Sequence, residues 1–76
     1  MPLKIERIFA FIAKDDQGNE GVCGFQSDMG WMAMVGADQA MIDKLKPMAR
    51  SIAKSSGKTI TICRFSIREE IETIDG

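Results

Sequence analysis

The sequence predicts a small α+β domain in which a mainly antiparallel, four-stranded sheet packs against one long helix. Three stretches in the N-terminal half are rich in β-branched and aromatic residues, and polar or glycine-containing turns separate them. Residues 38–56 instead repeat their apolar residues with the period of an α-helix. A Thr- and Ile-rich stretch follows, so the predicted order is βββαβ with a short C-terminal helix. The 76 residues allow a single domain, 1–76.

The first predicted strand, residues 4–13, is apolar on both of its faces. Ile8, Ala10 and Ile12 alternate with Phe9, Phe11 and Ala13. A strand with this pattern is buried on both sides, so we place it inside the sheet. Polar residues 14–20 form the following hairpin loop. Residues 21–26 and 31–35 are the second and third strands, and the three strands together predict an antiparallel meander.

The helix over residues 38–56 is the clearest element of the sequence. Its apolar and polar residues fall on opposite sides at 100° per residue, Asp38 is a good N-cap and Gly57 a good terminating residue. Pro47 interrupts the pattern, but it lies on the polar side, where water can satisfy the carbonyl of Asp43. We therefore expect one kinked amphipathic helix, which covers one face of the sheet.

The fourth strand is predicted over residues 58–65. A helix that crosses over between two strands favours a right-handed connection and a final strand parallel to its neighbour. Because the first strand has to be interior, we place the fourth strand beside it. The predicted sheet order is 3-2-1-4.

The C-terminal residues favour a short helix. Residues 66–69 match a capping box, and Ile67, Ile71 and Ile74 follow with helical spacing. As a strand, the segment would place Ile71, Thr73 and Asp75 on one face, which is a poorer pattern. The choice between helix and strand for 67–75 stays open at this point.

Charge and composition exclude several classes of partner and location. The net charge is −1, which gives no overall attraction to nucleic acid or to an anionic membrane. The longest uncharged run, residues 29–37, is too short to span a membrane, and the N-terminus is too charged for a signal peptide. We therefore expect a cytoplasmic protein with reduced thiols at Cys23 and Cys63.

No constellation of residues indicates catalysis or a bound metal. The chain has no His and no Tyr, so the commonest general base and metal ligand are missing. Two cysteines are too few for a structural zinc site, and each alternates with a Phe on its strand, which is typical of buried residues. Residues 15–20 lack the spacing of a calcium loop. We expect no catalytic residue, no metal and no cofactor.

The helix carries a basic face formed by Lys44, Lys46, Arg50 and Lys54. One interpretation is contact with phosphates or with an acidic partner. The other is a solvated outer surface, which is common on helices and which we favour. The predicted strands add few cations beyond Arg7 and Arg64, so a nucleic-acid partner is the weaker hypothesis.

The supply of apolar residues is large for so small a chain, which contains six Met, four Phe and one Trp. One long helix cannot cover both faces of the sheet. Met and Trp are enriched at interfaces, so we predict an intermolecular contact through Met29, Trp31, Met32 and Met34. The hypothesis is a non-enzymatic interaction protein, a homodimer that acts by occupying a partner. The alternatives are a nucleic-acid-binding protein that uses the basic helix face, and a domain that binds a small molecule between sheet and helix.

Overall fold

The computed structural model describes residues 4–76; the first three residues of the predicted domain lie outside that range. It confirms a small α+β fold with a mainly antiparallel sheet and one helix. The elements follow in the order β1 (Ile8–Lys14), β2 (Glu20–Val22), β3 (Gly24–Ser27), β4 (Gly30–Ala33), β5 (Val35–Gly36), α1 (Gln39–Ser56) and β6 (Ile60–Phe65).

Strand β1 is the centre of the sheet, as its doubly apolar pattern predicts. On one side it pairs with β6 along its length, from Ile8 opposite Phe65 to Ala13 opposite Ile60. On the other side, β2 pairs with its C-terminal half and β5 with its N-terminal half. Because β1 has neighbours on both sides, its middle residues Ala10, Phe11 and Ile12 are buried.

A three-way junction of backbone hydrogen bonds divides the second and third predicted strands. The Phe11 N–H donates to the Met34 carbonyl (3.1 Å), the Met34 N–H to the Cys23 carbonyl (2.8 Å) and the Cys23 N–H to the Phe11 carbonyl (2.8 Å). Strand β2, before Cys23, and strand β5, after Met34, pair with β1. The residues between Cys23 and Met34 leave β1 and form a separate hairpin of β3 and β4, which we call the β-arm (residues 24–33).

The predicted order 3-2-1-4 and the parallel fourth strand are corrected by the structure. Strand β6 is antiparallel to β1, and so is β5. Consequently β5 and β6 are parallel to each other with β1 between them, and α1 connects these two across β1. The prediction assumed that the strand after the helix is parallel to the strand with which it pairs. In the structure, β6 pairs with the antiparallel β1 and is parallel to β5, the strand that precedes α1. In addition, the end of the third predicted strand pairs with β1 rather than with the second strand alone.

Helix α1 confirms the capping and continuity that the sequence predicts. The Asp38 carboxylate accepts a hydrogen bond from the Met41 N–H (2.9 Å), and Gly57 has φ 73°, where its N–H donates to the Ala53 carbonyl. Pro47 lies inside one uninterrupted helix, and both Pro47 and Asp43 are exposed. The carbonyl that Pro47 leaves without an N–H partner can therefore bind water.

The core lies between α1 and one face of the sheet. It consists of Phe11, Cys23, Met34, Ile42 and Ala49. At its edge the helix approaches β5 so closely that a Cβ at Gly36 would lie 2.7 Å from the Met41 Cγ. A larger residue at this position would force the Met41 side chain to move, so the glycine permits this close approach.

The predicted C-terminal helix is absent: residues 66–76 have no regular secondary structure. Ile67, Ile71 and Ile74 are 94%, 90% and 87% exposed. A two-turn helix is unstable in water unless its apolar side packs on another element, because nucleation is unfavourable. In this structure the isoleucine side has no such surface, so helical spacing alone does not form the helix.

Replacement of Pro47 by Ala is expected to leave stability unchanged or to raise it slightly. The substitution supplies at position 47 the N–H that can donate to the Asp43 carbonyl. A proline in a helix interior costs about 3 kcal/mol relative to Ala. Part of this is offset because the Asp43 carbonyl, on the exposed side of the helix, can bind water instead. Urea unfolding of Pro47→Ala measures the effect, and a loss of more than about 1 kcal/mol would contradict it.

Met34 and Met29 form a matched pair for testing the core. Met34 is fully buried, whereas Met29 is exposed at the tip of the β-arm. Met34→Ala should cost about 2–5 kcal/mol of unfolding free energy, because it leaves a cavity. Met29→Ala should change the same quantity by less than about 0.5 kcal/mol. Similar losses for the two variants in denaturant unfolding would show that Met34 does not lie in the core.

Candidate functional site: an open sheet face

The two faces of the sheet differ in what covers them. Side chains alternate along a strand, so Phe9, Phe11 and Ala13 of β1 point toward α1. The opposite side chains of β1, with those directly across from them on β2, β5 and β6, form a second face. The only helix in residues 4–76 lies on the first side. We call the second side the open face; its apolar members are Ile8, Ala10, Ile12, Val22, Val35, Cys63 and Phe65.

The open face exposes large apolar side chains from four strands. Val22 is 52% exposed and Phe65 55%, and Ile8 and Val35 are also exposed. Ala10 and Ile12, in the middle of this face, are buried, so the exposed apolar side chains lie around them. Single exposed apolar residues are common on monomers, but a contiguous patch of this kind is typical of an interaction surface.

Trp31 of the β-arm alternates in step with Val35, which places it on the same side of the chain as the open face. It lies across from Gln26, and its indole ring covers Gly24, where any Cβ would overlap the ring. The contact with the bare backbone restricts the ring, yet 69% of the side chain stays exposed. A restrained and exposed tryptophan loses little conformational freedom on binding, which suits it to be an interface anchor.

The four residues predicted as contacts do not share one surface. Trp31 belongs to the open face, and Met29 lies at the tip of the β-arm. Met32 is exposed on the other side of the β-arm, the side on which Phe25 packs against the core. Met34 is 0% exposed and part of the core, so it is not a surface contact. Its backbone belongs to the three-way junction, which holds the side chain inward.

Sequence reasoning missed most of the open face. Ile8, Val22, Val35 and Phe65 were not among the predicted contacts, although the doubly apolar first strand already implied a second apolar face. Their pairing across β1 depends on the register of β2, β5 and β6. That register is a long-range property, and no local motif in the sequence specifies it.

The cysteines and acidic residues make no metal site within residues 4–76. Cys23 is buried in the core, and burial raises the pKa of its thiol. Cys63 is half-buried on the open face. In the loop after β1, the Asp15 carboxylate accepts hydrogen bonds from the N–H groups of Gln17 (2.9 Å) and Asn19 (2.8 Å). The bonds from the N–H and the side-chain amide of Asn19 lower the Asp15 pKa most. Asp15 is therefore occupied by hydrogen bonds within its own turn.

The basic side chains of α1 do not form a single patch. Lys46 forms an ion pair with Asp43 (3.1 Å), whose pKa is lowered by the amide of Gln39 and by Lys46 itself. Lys46 and Arg50 flank a groove between α1 and β6, whereas Lys44 lies roughly 160° around the helix from Lys46. Lys54 is exposed near the helix end.

In the part of the chain that the structure describes, no helix is long and apolar enough to cross a membrane. No known protein family, curated protein or solved structure matches this chain. The candidate site therefore rests on the geometry of the chain itself.

The two thiols are expected to react at different rates. Cys23 is buried and its pKa is raised, so little of it is present as the reactive thiolate. Cys63 is more accessible on the open face. With a thiol reagent and a chain dilute enough to leave the open face uncovered, mass spectrometry of digested samples should find Cys63 modified first. Faster modification of Cys23 would contradict the positions of both residues.

Proposed function

We propose that this protein is a small, non-enzymatic interaction module that forms a homodimer through its open face. The proposal rests on the apolar face of β1, β2, β5 and β6, from which Ile8, Val22, Val35 and Phe65 are exposed, and on Trp31, which strand alternation places on the same side. A second copy offers an identical apolar surface. Two-fold pairing of one patch with itself is the commonest form of protein self-association.

The dimensions of the chain support association. Its accessible surface is 6647 Å², whereas a compact monomer of this mass exposes about 4,600 Å². Its radius of gyration is 14.4 Å, against about 11.4 Å for a compact chain of the same length. The single copy therefore exposes more surface than a compact domain of its size, and the irregular residues 66–76 and the separate β-arm contribute to this excess together with the open face.

Burial of the open face would stabilise a dimer by a useful amount. A large apolar side chain contributes about 1.5–3 kcal/mol when it is fully buried. Ile8, Val22, Trp31, Val35 and Phe65 are all available for burial. A stable interface buries about 800 Å² on each partner. Part of the free energy gained by this burial is offset by the translational and rotational freedom that the two chains lose when they associate.

The proposed activity is binding rather than chemistry. The open face is mainly apolar, and its thiol, Cys63, lies opposite Ala10, whereas its charged members Lys14 and Glu20 pair with each other four residues further along β1. Such a surface acts by occupying a partner or by holding two copies together. The helix side and the Met32 side of the β-arm remain exposed in a dimer formed through the open face, and they are available for a further partner.

Sedimentation equilibrium at tens of micromolar tests the dimer. The wild-type chain should sediment with about twice its mass of 8.4 kDa. The double variant Trp31→Ser, Phe65→Ser should weaken association at least tenfold, because it removes two large open-face groups. Met32→Ser is the matched control, since Met32 is exposed on the same β-arm but on its other side.

Circular dichroism shows whether each of these variants retains the fold. A wild-type species of 8.4 kDa at that concentration would contradict the dimer. Equal weakening by Met32→Ser would show that association does not use the open face.

A further inference from the structure

The groove between α1 and β6 combines an apolar floor with a cationic rim. Ala49 and Ala53 of the helix and Ile60 and Ile62 of the strand line it, and Lys46 and Arg50 stand at its edge. The cavity has a volume of about 270 Å³. In the described residues β6 pairs only with β1, so its outer edge leaves the groove open to an incoming segment.

The C-terminal segment, residues 66–76, is complementary to this groove. Its three isoleucines repeat at positions i, i+4 and i+7 and are almost fully exposed. Four carboxylates and one arginine give the segment a net charge of −3, whereas four cations and one carboxylate give α1 a net charge of +3. An amphipathic helix that lays such an apolar stripe into a groove is a recurrent mode of recognition.

The segment is directed away from the groove of its own chain. Arg68 donates to the Ile5 carbonyl (3.4 Å) and pairs with Glu70 (3.0 Å). Residues 65–69 thus run beside residues 4–8, beyond the end of the β1–β6 pairing. The groove lies at Ile60 and Ile62, toward the other end of β6. To reach it, the segment would have to break these contacts and reverse direction, whereas the groove of another molecule needs no reversal.

We propose that the C-terminal segment of one copy docks in the groove between α1 and β6 of a second copy, and becomes helical there. Its isoleucines would contact the apolar floor, and its carboxylates would lie beside Lys46 and Arg50. Lys46 is held by Asp43 in the free chain, so Arg50 is the readier partner. This contact goes beyond the proposed open-face dimer because it uses the other side of the sheet.

A fluorescent peptide with the sequence of residues 66–76, titrated with the full chain, tests the contact by anisotropy. Binding should saturate and should weaken with added salt, since charged groups contribute. Arg50→Glu combined with Lys46→Glu should weaken it at least tenfold, whereas Lys44→Glu, a charge reversal outside the groove, should change it less than twofold. A peptide with Ser at both Ile71 and Ile74 should bind at least tenfold more weakly. Isotope-edited NMR of the bound peptide should show helical shifts.

The outcomes separate this contact from the open-face dimer. The Trp31→Ser, Phe65→Ser chain should bind the peptide as the wild type does. Loss of binding in that variant would place the segment on the open face and overturn the groove assignment. Absence of saturation up to about 1 mM chain would also overturn it. So would a Lys44→Glu chain that binds the peptide as weakly as the Arg50→Glu, Lys46→Glu chain, because binding would then depend only on general attraction between opposite charges.

Discussion

The ring of three backbone hydrogen bonds among Phe11, Cys23 and Met34 is the constraint on which the rest of the structure depends. Each of the three residues donates one bond and accepts one, so the buried backbone at this point has its partners. Their side chains all enter the core beneath α1. The residues before and after each of them must therefore face the other way. One junction thus defines both the core and the open face.

The same junction explains which parts of the fold the sequence could predict. Helix α1 was predictable because its signals are local: a 3.6-residue period, the Asp38 cap and the terminating Gly57. The interior position of β1 followed from its apolar residues on both faces. The division of the next two strands was not predictable, because Cys23 and Met34 keep the ordinary alternation of a strand while their partners change.

The remaining differences arise from long-range properties. The direction of β6 relative to its neighbour depends on β1 lying between β5 and β6. The sequence of residues 58–65 does not indicate which strand that neighbour is. The isoleucines at 67, 71 and 74 have helical spacing but no packing surface in the single chain. Trp31 was predicted as a contact from its type and neighbourhood, whereas Phe65 lies on the open face only through the register of β6 with β1. The sequence therefore predicts that the candidate site is an apolar surface, but it predicts only some of the residues that form it.

The central claim is that a second copy covers the open face. Isotope-filtered NOE spectroscopy on a mixture of labelled and unlabelled chains tests it directly, because it detects protons of two molecules within about 5 Å of each other. In the proposed dimer, intermolecular NOEs should connect the Trp31 indole or the Phe65 ring with the methyl groups of Ile8, Val22 or Val35. Intermolecular NOEs confined to other surfaces, or none at a concentration where the chain is associated, would contradict it.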